Sequence, residues 1–459
     1  MNTVTTVQEQ RIDDAAQEAL AVTIYNDNLA LVKDLRRLTL TQGENRLAWR
    51  NCSGRIRPET ALLSETSGAL QIGLLEQNFD FDLLTPQSLL RKYLGQKVQV
   101  IRTNDAGDRT SEEATVLATN EGVILRYADH IETGLVGHLA FPDLPPDLRD
   151  QPTLVLHLEA IQAGAGTFEL SYLTGGLGWR ADYEADLSAE GQLMDVNGWV
   201  TLTNRSGVAY RQARVQLVAG EVHQVELDTV DFSCEEPMPP CSMGAPPEEK
   251  SLDEYHLYTL QRPTDILNNQ TKQVALLSAP RVPLTRELVV LGNPYFYRAQ
   301  STDGWEKLPV ESTLSFTNRD KSLGVPLPKG VVRVYAKDRR GNAQFIGEDR
   351  IDHTPKHETV ILKLGESFDV TVHRKQTEFN KLSGTGRYDY TYETAFAMEL
   401  KNAKPYPVTV NVVEAIPGDW KMVLESEPHT KEASNLASWQ VTIPAEGAVT
   451  LTWRVQVRQ

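Results

Sequence analysis

Cysteine is nearly missing from this chain of 459 residues, which holds only Cys52, Cys234 and Cys241. With no C-x-x-C pair, a structural zinc site is not expected. Cys234 and Cys241 bracket "EEPMPP". A local disulfide in an oxidising compartment and two free thiols in a loop are both open readings. Long apolar runs are missing too. None approaches the roughly 18 to 20 residues that a membrane-spanning helix needs. Basic excess is absent, with 46 Lys and Arg against 62 Asp and Glu and a net charge of -16. That balance argues against a general nucleic-acid binder and against docking on anionic lipid.

The N-terminal "MNTVTTVQEQRIDDAAQEAL" has neither the basic start nor the apolar core of a secretory signal. The expected location is the periplasm or cell envelope if a signal has been removed, and otherwise the cytoplasm. Catalytic signatures are equally scarce. There is no G-x-S-x-G elbow. "LTGGLGWR" (173–180) has three glycines but lacks the lysine and following helix of a phosphate loop. No cofactor is expected.

Alternation is what the sequence does contain. In "TLVLHLEA", Leu154, Leu156 and Leu158 share one face of a strand, and Thr153, Val155, His157 and Glu159 share the other. "LAVTIYNDNLALVKD", "FELSYL", "WVTLTN", "VVRVYAKD", "FDVTVHR", "VTVNVVEA" and "VTLTWRVQV" repeat the pattern. The clearest helix signal is "TPQSLLRKYLG" (85–95), with Thr85 as cap, Pro86 in the first turn and Gly95 at the stop. A second helix is expected at "IDDAAQEAL" (12–20).

These signals predict an all-β, multi-domain protein of immunoglobulin-like β-sandwich modules, a small inserted β-barrel and few short helices. The expected division is an N-terminal β unit (20–82), the barrel-like insertion (85–147), a β-sandwich module (152–228), a flexible loop rich in proline and acids (229–255), a β module (256–375) and a C-terminal β-sandwich module (376–459). An internal echo points to related modules. "VTLTNRSGVAY", "LSFTNRDKSLG" and "MELKNAKPYP" each end a strand with an asparagine, followed by a polar turn.

The stretch that most resembles an active site is "GEDRIDHTPKHE" (347–358). It holds Glu348, Asp349, Arg350, Asp352, His353, His357 and Glu358. His353 and His357 have the i, i+4 spacing that pairs two metal ligands on a helix. Pro355 between them disfavours that helix, so the stretch reads as a charged strand end and turn. The catalytic candidates here are Asp349, Asp352 and His353, and the metal candidates are His353 and His357. Tyr255, Tyr258 and Trp305 are the aromatic candidates for binding.

Several segments resemble a known family. "SYLTGGLGWRADYEADL" (171–187), "GWVTLTNRSGVAYRQARVQLVAGEV" (198–222), "LSFTNRDKSLGVPLPKGVVRVYAKD" and "GEDRIDHTP" are similar to a bacterial domain of unknown function found in proteins like mucoidy inhibitor A. "VTIYNDNLALVKD" with "IRPETALL" resembles its N-terminal strands. The resemblance implies a β-rich protein, often exported to the cell envelope, with no established enzymatic activity. It carries no functional residues over. The chain departs from these relatives in lacking their long helical insertion.

The expected function is therefore that of a structural or partner-binding protein of the bacterial envelope, with an unknown protein or glycan partner. The alternatives are a hydrolase of envelope polymers acting through 348–358, and a carbohydrate-binding protein.

Overall fold

The structure is a computed structural model. It describes all residues except 1–6, 27, 81, 105–106, 121, 136, 146–147, 221–247, 253–254, 302–303, 320–322, 339, 383–390 and 459, and only the backbone of 248–252 and 255. Cys234 and Cys241 lie outside the described residues. The chain forms two compact units. One comprises Met1–Trp179, Leu202–Cys241 and Pro247–Gln273, and the other Arg180–Thr201, Ser242–Pro246 and Val274–Gln459. The fold is all-β.

In the first unit, a four-stranded sheet has the order Glu9–Ile12, Gly43–Arg50, Thr153–Ala160, Ile72–Asp80. A larger sheet runs from Glu248–Leu252 through Tyr255–Thr259, Tyr210–Ala219, Gln17–Tyr25, Ala30–Leu40 and Gly164–Thr174 to Leu62–Glu65. Alternation explains the pairing. Leu154, Leu156 and Leu158 are fully buried, and so are Val22, Ile24, Phe168 and Leu170. Thr153 and Val155, on the opposite face of their strand, are buried as well. The chain at 82–84 and 148–149 crosses there, bonded to itself through Leu84 N–H and the Arg149 carbonyl at 2.7 Å.

The helix expected at 12–20 does not form. A single 3-10 turn, Asp14–Ala16, leads into the strand Gln17–Tyr25. Leu20, Val22 and Ile24 fall on one face of that strand and are buried, so tertiary packing overrides the helix propensity of the alanines and glutamate.

The helix expected near 85 is present as Pro86–Lys92, with the Thr85 hydroxyl accepting from Ser88 N–H at 3.0 Å. It leads into a five-stranded antiparallel sheet ordered Ile131–Thr133, Ile124–Arg126, Arg109–Ala118, Lys97–Thr103, His138–Ala140. Its core is Tyr93, Val98, Val100, Ala114, Val116, Leu125 and Tyr127. The sheet is curled but not a closed barrel. Its two edge strands are consecutive in sequence, and four residues reach at most about 18 Å. The edges are therefore held near one another without forming a ladder. Gly137 lets the chain pass, because a Cβ there would lie 2.3 Å from the Ile101 carbonyl oxygen.

The second unit carries three sheets. One contains Gln270–Pro283, Leu193–Asn204, Leu177–Leu187, Gly330–Lys337 and Ala343–Ile351, in that order. The other two form a sandwich. One sheet runs Thr359–Glu366, Glu311–Thr317, Thr285–Leu291, Val408–Ala415, Leu436–Ile443, Thr430–Ala433. The other runs Glu306–Leu308, Val370–Leu382, Thr391–Asn402, Ala448–Arg458, Asp419–Glu425. A single core, including Val372, Phe396, Met398, Val410, Val412, Trp439 and Trp453, joins them.

The three strand-end asparagines are buried staples. Asn204 Nδ2 donates to the carbonyls of Val208 at 2.8 Å and of Ile266 and Leu267 at 3.1 Å. Asn318 Nδ2 donates to Val325 at 2.8 Å and Pro355 at 2.9 Å. Asn402 Nδ2 donates to Tyr406 at 2.9 Å and Pro444 at 3.0 Å. Each amide ties its own turn to a second, distant loop. At Asn204 and Asn402, Oδ1 also accepts from the backbone N–H two residues on, the geometry of an Asx turn.

Candidate functional site

Residues 347–358 form a strand, a turn and the approach to a second strand. Gly347 starts the segment with φ +154°, and a Cβ there would lie 2.4 Å from the Leu364 carbonyl oxygen. Glycine thus permits the strands Ala343–Ile351 and Thr359–Glu366 to touch. Glu348 pairs with Arg333 at 3.1 Å. Asp349 accepts from Arg350 N–H at 2.8 Å and from Lys363 N–H at 2.7 Å. It therefore links the same two strands.

Asp352 is exposed, and its carbonyl accepts from the Thr354 hydroxyl at 2.8 Å. His353 Nδ1 accepts from Lys329 N–H at 3.2 Å, which leaves a proton on Nε2 when the ring is neutral. The next residue, Thr354, exchanges two 2.9 Å backbone bonds with Leu327. His357 sits in the left-handed region at φ +71°. Its N–H donates to the Asn318 carbonyl at 2.6 Å, and Asn318 N–H donates to Glu358 at 2.7 Å. These bonds take Asp349 toward 363, His353 toward 329 and His357 toward 318. Among the described residues, no group of three or more His, Cys, Asp or Glu is placed to hold a metal.

The aromatic candidates have separate settings. Tyr258 is buried, with its ring centroid 6.4 Å from that of Trp179. It packs the core of the first unit and presents no open face. Tyr255 begins a strand paired to Glu248–Leu252, and its side chain lies outside the described residues. Trp305 is half-exposed, just before Glu306–Leu308.

Sequence reading missed a charge network in the first unit, because it is buried. In Ala30–Leu40 the inward positions read Ala30, Val32, Asp34, Arg36, Leu38, Leu40, and Asp34 and Arg36 are buried with the rest. Arg36 pairs with Asp34 at 2.7 Å and donates to the carbonyls of Ile12 at 2.8 Å and Arg50 at 2.9 Å. Trp49 Nε1 donates to Asp34 at 2.9 Å. Since Ile12, Trp49 and Arg50 belong to the smaller sheet, this network bolts the two sheets of the unit together. Cys52 lies close by, and burial pushes its thiol up to about 12.

The sandwich of the second unit repeats the device. Val370, Val372 and Arg374 point inward on one sheet, and Val410, Val412 and Glu414 on the other. Arg374 lies 3.4 Å from Glu414 and 3.3 Å from the ring centre of Phe296. The Tyr297 hydroxyl donates to Glu414 at 3.0 Å and accepts from Trp453 Nε1 at 3.2 Å. Burial raises the Glu414 pKa, while Arg374 and the Tyr297 bond oppose the rise. A third buried carboxylate, Asp182, accepts from the Thr201 hydroxyl at 2.8 Å and pairs with Arg333 at 3.1 Å. The available signal was a charged residue at an inward position of an alternating strand.

Taken together, these features define an all-β protein whose concentrated charge braces its sheets. Residues 168–459 match the family described as a domain of unknown function, DUF4139, and the chain belongs to that family. No curated protein matches the chain.

Proposed function

We propose that this chain is a non-enzymatic β protein that binds a partner, or contributes structure, at the bacterial cell envelope. The observation that carries this reading is the setting of 347–358. Two of the groups that look catalytic in sequence serve as ties, Asp349 holding Lys363 N–H and His353 holding Lys329 N–H; the backbone of His357 and Glu358 holds Asn318, and Asp352 is exposed. The buried networks of Asp34, Asp182 and Glu414 support the same reading, because each is enclosed and bound to arginine. Rigid sandwiches of this kind expose loops and sheet faces suited to recognition. The envelope assignment rests on the likeness of 171–187 and 198–222 to proteins similar to mucoidy inhibitor A.

The reading is tested by incubating the purified chain with isolated envelope fractions, separated into polymer and membrane protein. Saturable association with one fraction is the expected result. Absence of association with every fraction overturns it.

A further inference from the structure

Resting on that envelope-binding reading, we infer that the outer face of the Thr285–Leu291, Glu311–Thr317 and Thr359–Glu366 strands carries a site for one acidic sugar residue of a glycan. A pocket of about 170 Å³ opens there. Its polar lining residues are four that carry hydroxyls, Thr285, Ser315, Thr317 and Thr359, together with Arg319. Among the described residues, no acid lines it.

Strand register explains why these groups meet. Thr285 lies opposite Ser315, and Thr317 opposite Thr359. Residues opposite one another in a ladder face the same side, and the Thr317 and Thr359 oxygens are 3.3 Å apart. Arg319 N–H donates to the Thr317 carbonyl at 2.8 Å, which turns the chain tightly right after the strand and keeps Arg319 next to Thr317. Asn318 between them is locked by Val325 and Pro355. The site therefore stands on strands and a stapled corner, which limits its reorganisation on binding.

The chemistry selects the ligand. Each hydroxyl can donate once and accept, matching the donor and acceptor pattern of a sugar. Arg319 is exposed and forms no ion pair among the described residues, and a guanidinium binds a carboxylate in a bidentate fork. Ile361, paired with Ser315 and 65% exposed, offers an apolar patch for the C–H face of a ring. Four hydroxyls and one arginine suit a uronate better than a neutral sugar, which needs no cation, or a bare anion, which needs no set of hydroxyls.

The test titrates the full chain, by calorimetry or NMR, with a short uronic-acid oligosaccharide, a neutral glucose oligosaccharide of equal length and inorganic phosphate. The uronate is expected to bind most tightly. Arg319→Gln should weaken it by about tenfold or more, since it removes a charge-assisted contact. Thr317→Val with Thr359→Val should weaken it further while Tm is retained. Equal affinity for phosphate and uronate, no uronate binding, or an unchanged affinity in Arg319→Gln overturns the proposal. If Arg319→Gln still associates with envelope fractions while no oligosaccharide binds, the pocket fails and the envelope reading stands. If the native chain binds the uronate but no envelope fraction, the envelope reading fails and the pocket stands.

Discussion

Arg374 and Glu414 face each other across the C-terminal sandwich at 3.4 Å, each almost wholly removed from water. Tyr297 completes the arrangement by donating to the same carboxylate. Two charges in a core cost desolvation, which their mutual attraction and the added hydrogen bonds offset. Removing one partner leaves the other buried and unpaired. Arg374→Met and Glu414→Leu are each expected to destabilise this unit by about 3–5 kcal/mol. The double variant should cost less than the sum. A double-mutant cycle from urea unfolding checks this.

The same pair sets a pH dependence. Glu414 holds its proton more tightly folded than unfolded, because burial raises its pKa above the usual 4.5. Stability from this group is fully present below 4.5 and declines as pH rises through the raised folded value. Glu414→Gln should remove that decline, read as a flatter plot of unfolding free energy against pH across the interval.

Glu9 works in the opposite direction. Its carboxylate accepts from Arg149 at 2.7 and 2.9 Å, and this bond holds its pKa below the usual 4.5. Its stability is present above 4.5 and lost as pH falls through the lowered value. Arg149→Met should therefore weaken the acid limb of the stability profile of the first unit.

The asparagine staples predict a graded loss. Asn402→Ala removes donors to Tyr406 and Pro444 and should cost about 1–3 kcal/mol, the range for leaving a buried polar group unpaired. Asn402→Asp should cost at least as much, because a carboxylate oxygen would replace the donor and face two carbonyls. Asn204 should behave similarly. Thermal unfolding of the three variants checks the order.

Gly347 gives a local test of the strand contact. Gly347→Ala places a Cβ against the Leu364 carbonyl and should cost about 1–3 kcal/mol. Gly365→Ala is the control, because it has a positive φ but open space around the added atom. The first should be the more destabilising in the same unfolding assay.

Much of the fold was legible because it rests on period-two alternation. Leu154, Leu156 and Leu158 announce their strand, and Thr85, Pro86 and Gly95 announce the α-helix Pro86–Lys92. The helix expected at 12–20 failed for a physical reason: Leu20, Val22 and Ile24 gain more from a buried strand face than the alanines gain from a helix. The three asparagine echoes were visible as strand ends, but the second loop each one reaches was not, because it lies far away in sequence. The candidate site was less legible still. Residues 347–358 looked reactive because nine polar residues crowd twelve positions, while the partners of Asp349, of His353 and of the His357–Glu358 backbone, namely Lys363, Lys329 and Asn318, come from other segments. The buried charges looked like ordinary surface residues until the inward register placed them.

The function depends on whether the acids and histidines of 347–358 brace the fold or perform chemistry. The most direct measurement compares product release from purified envelope polymer by the native chain and by Asp352→Ala, with binding followed in the same samples. The account predicts saturable binding, no product, and the same behaviour in the variant. Product released by the native chain and lost in a folded Asp352→Ala would contradict it.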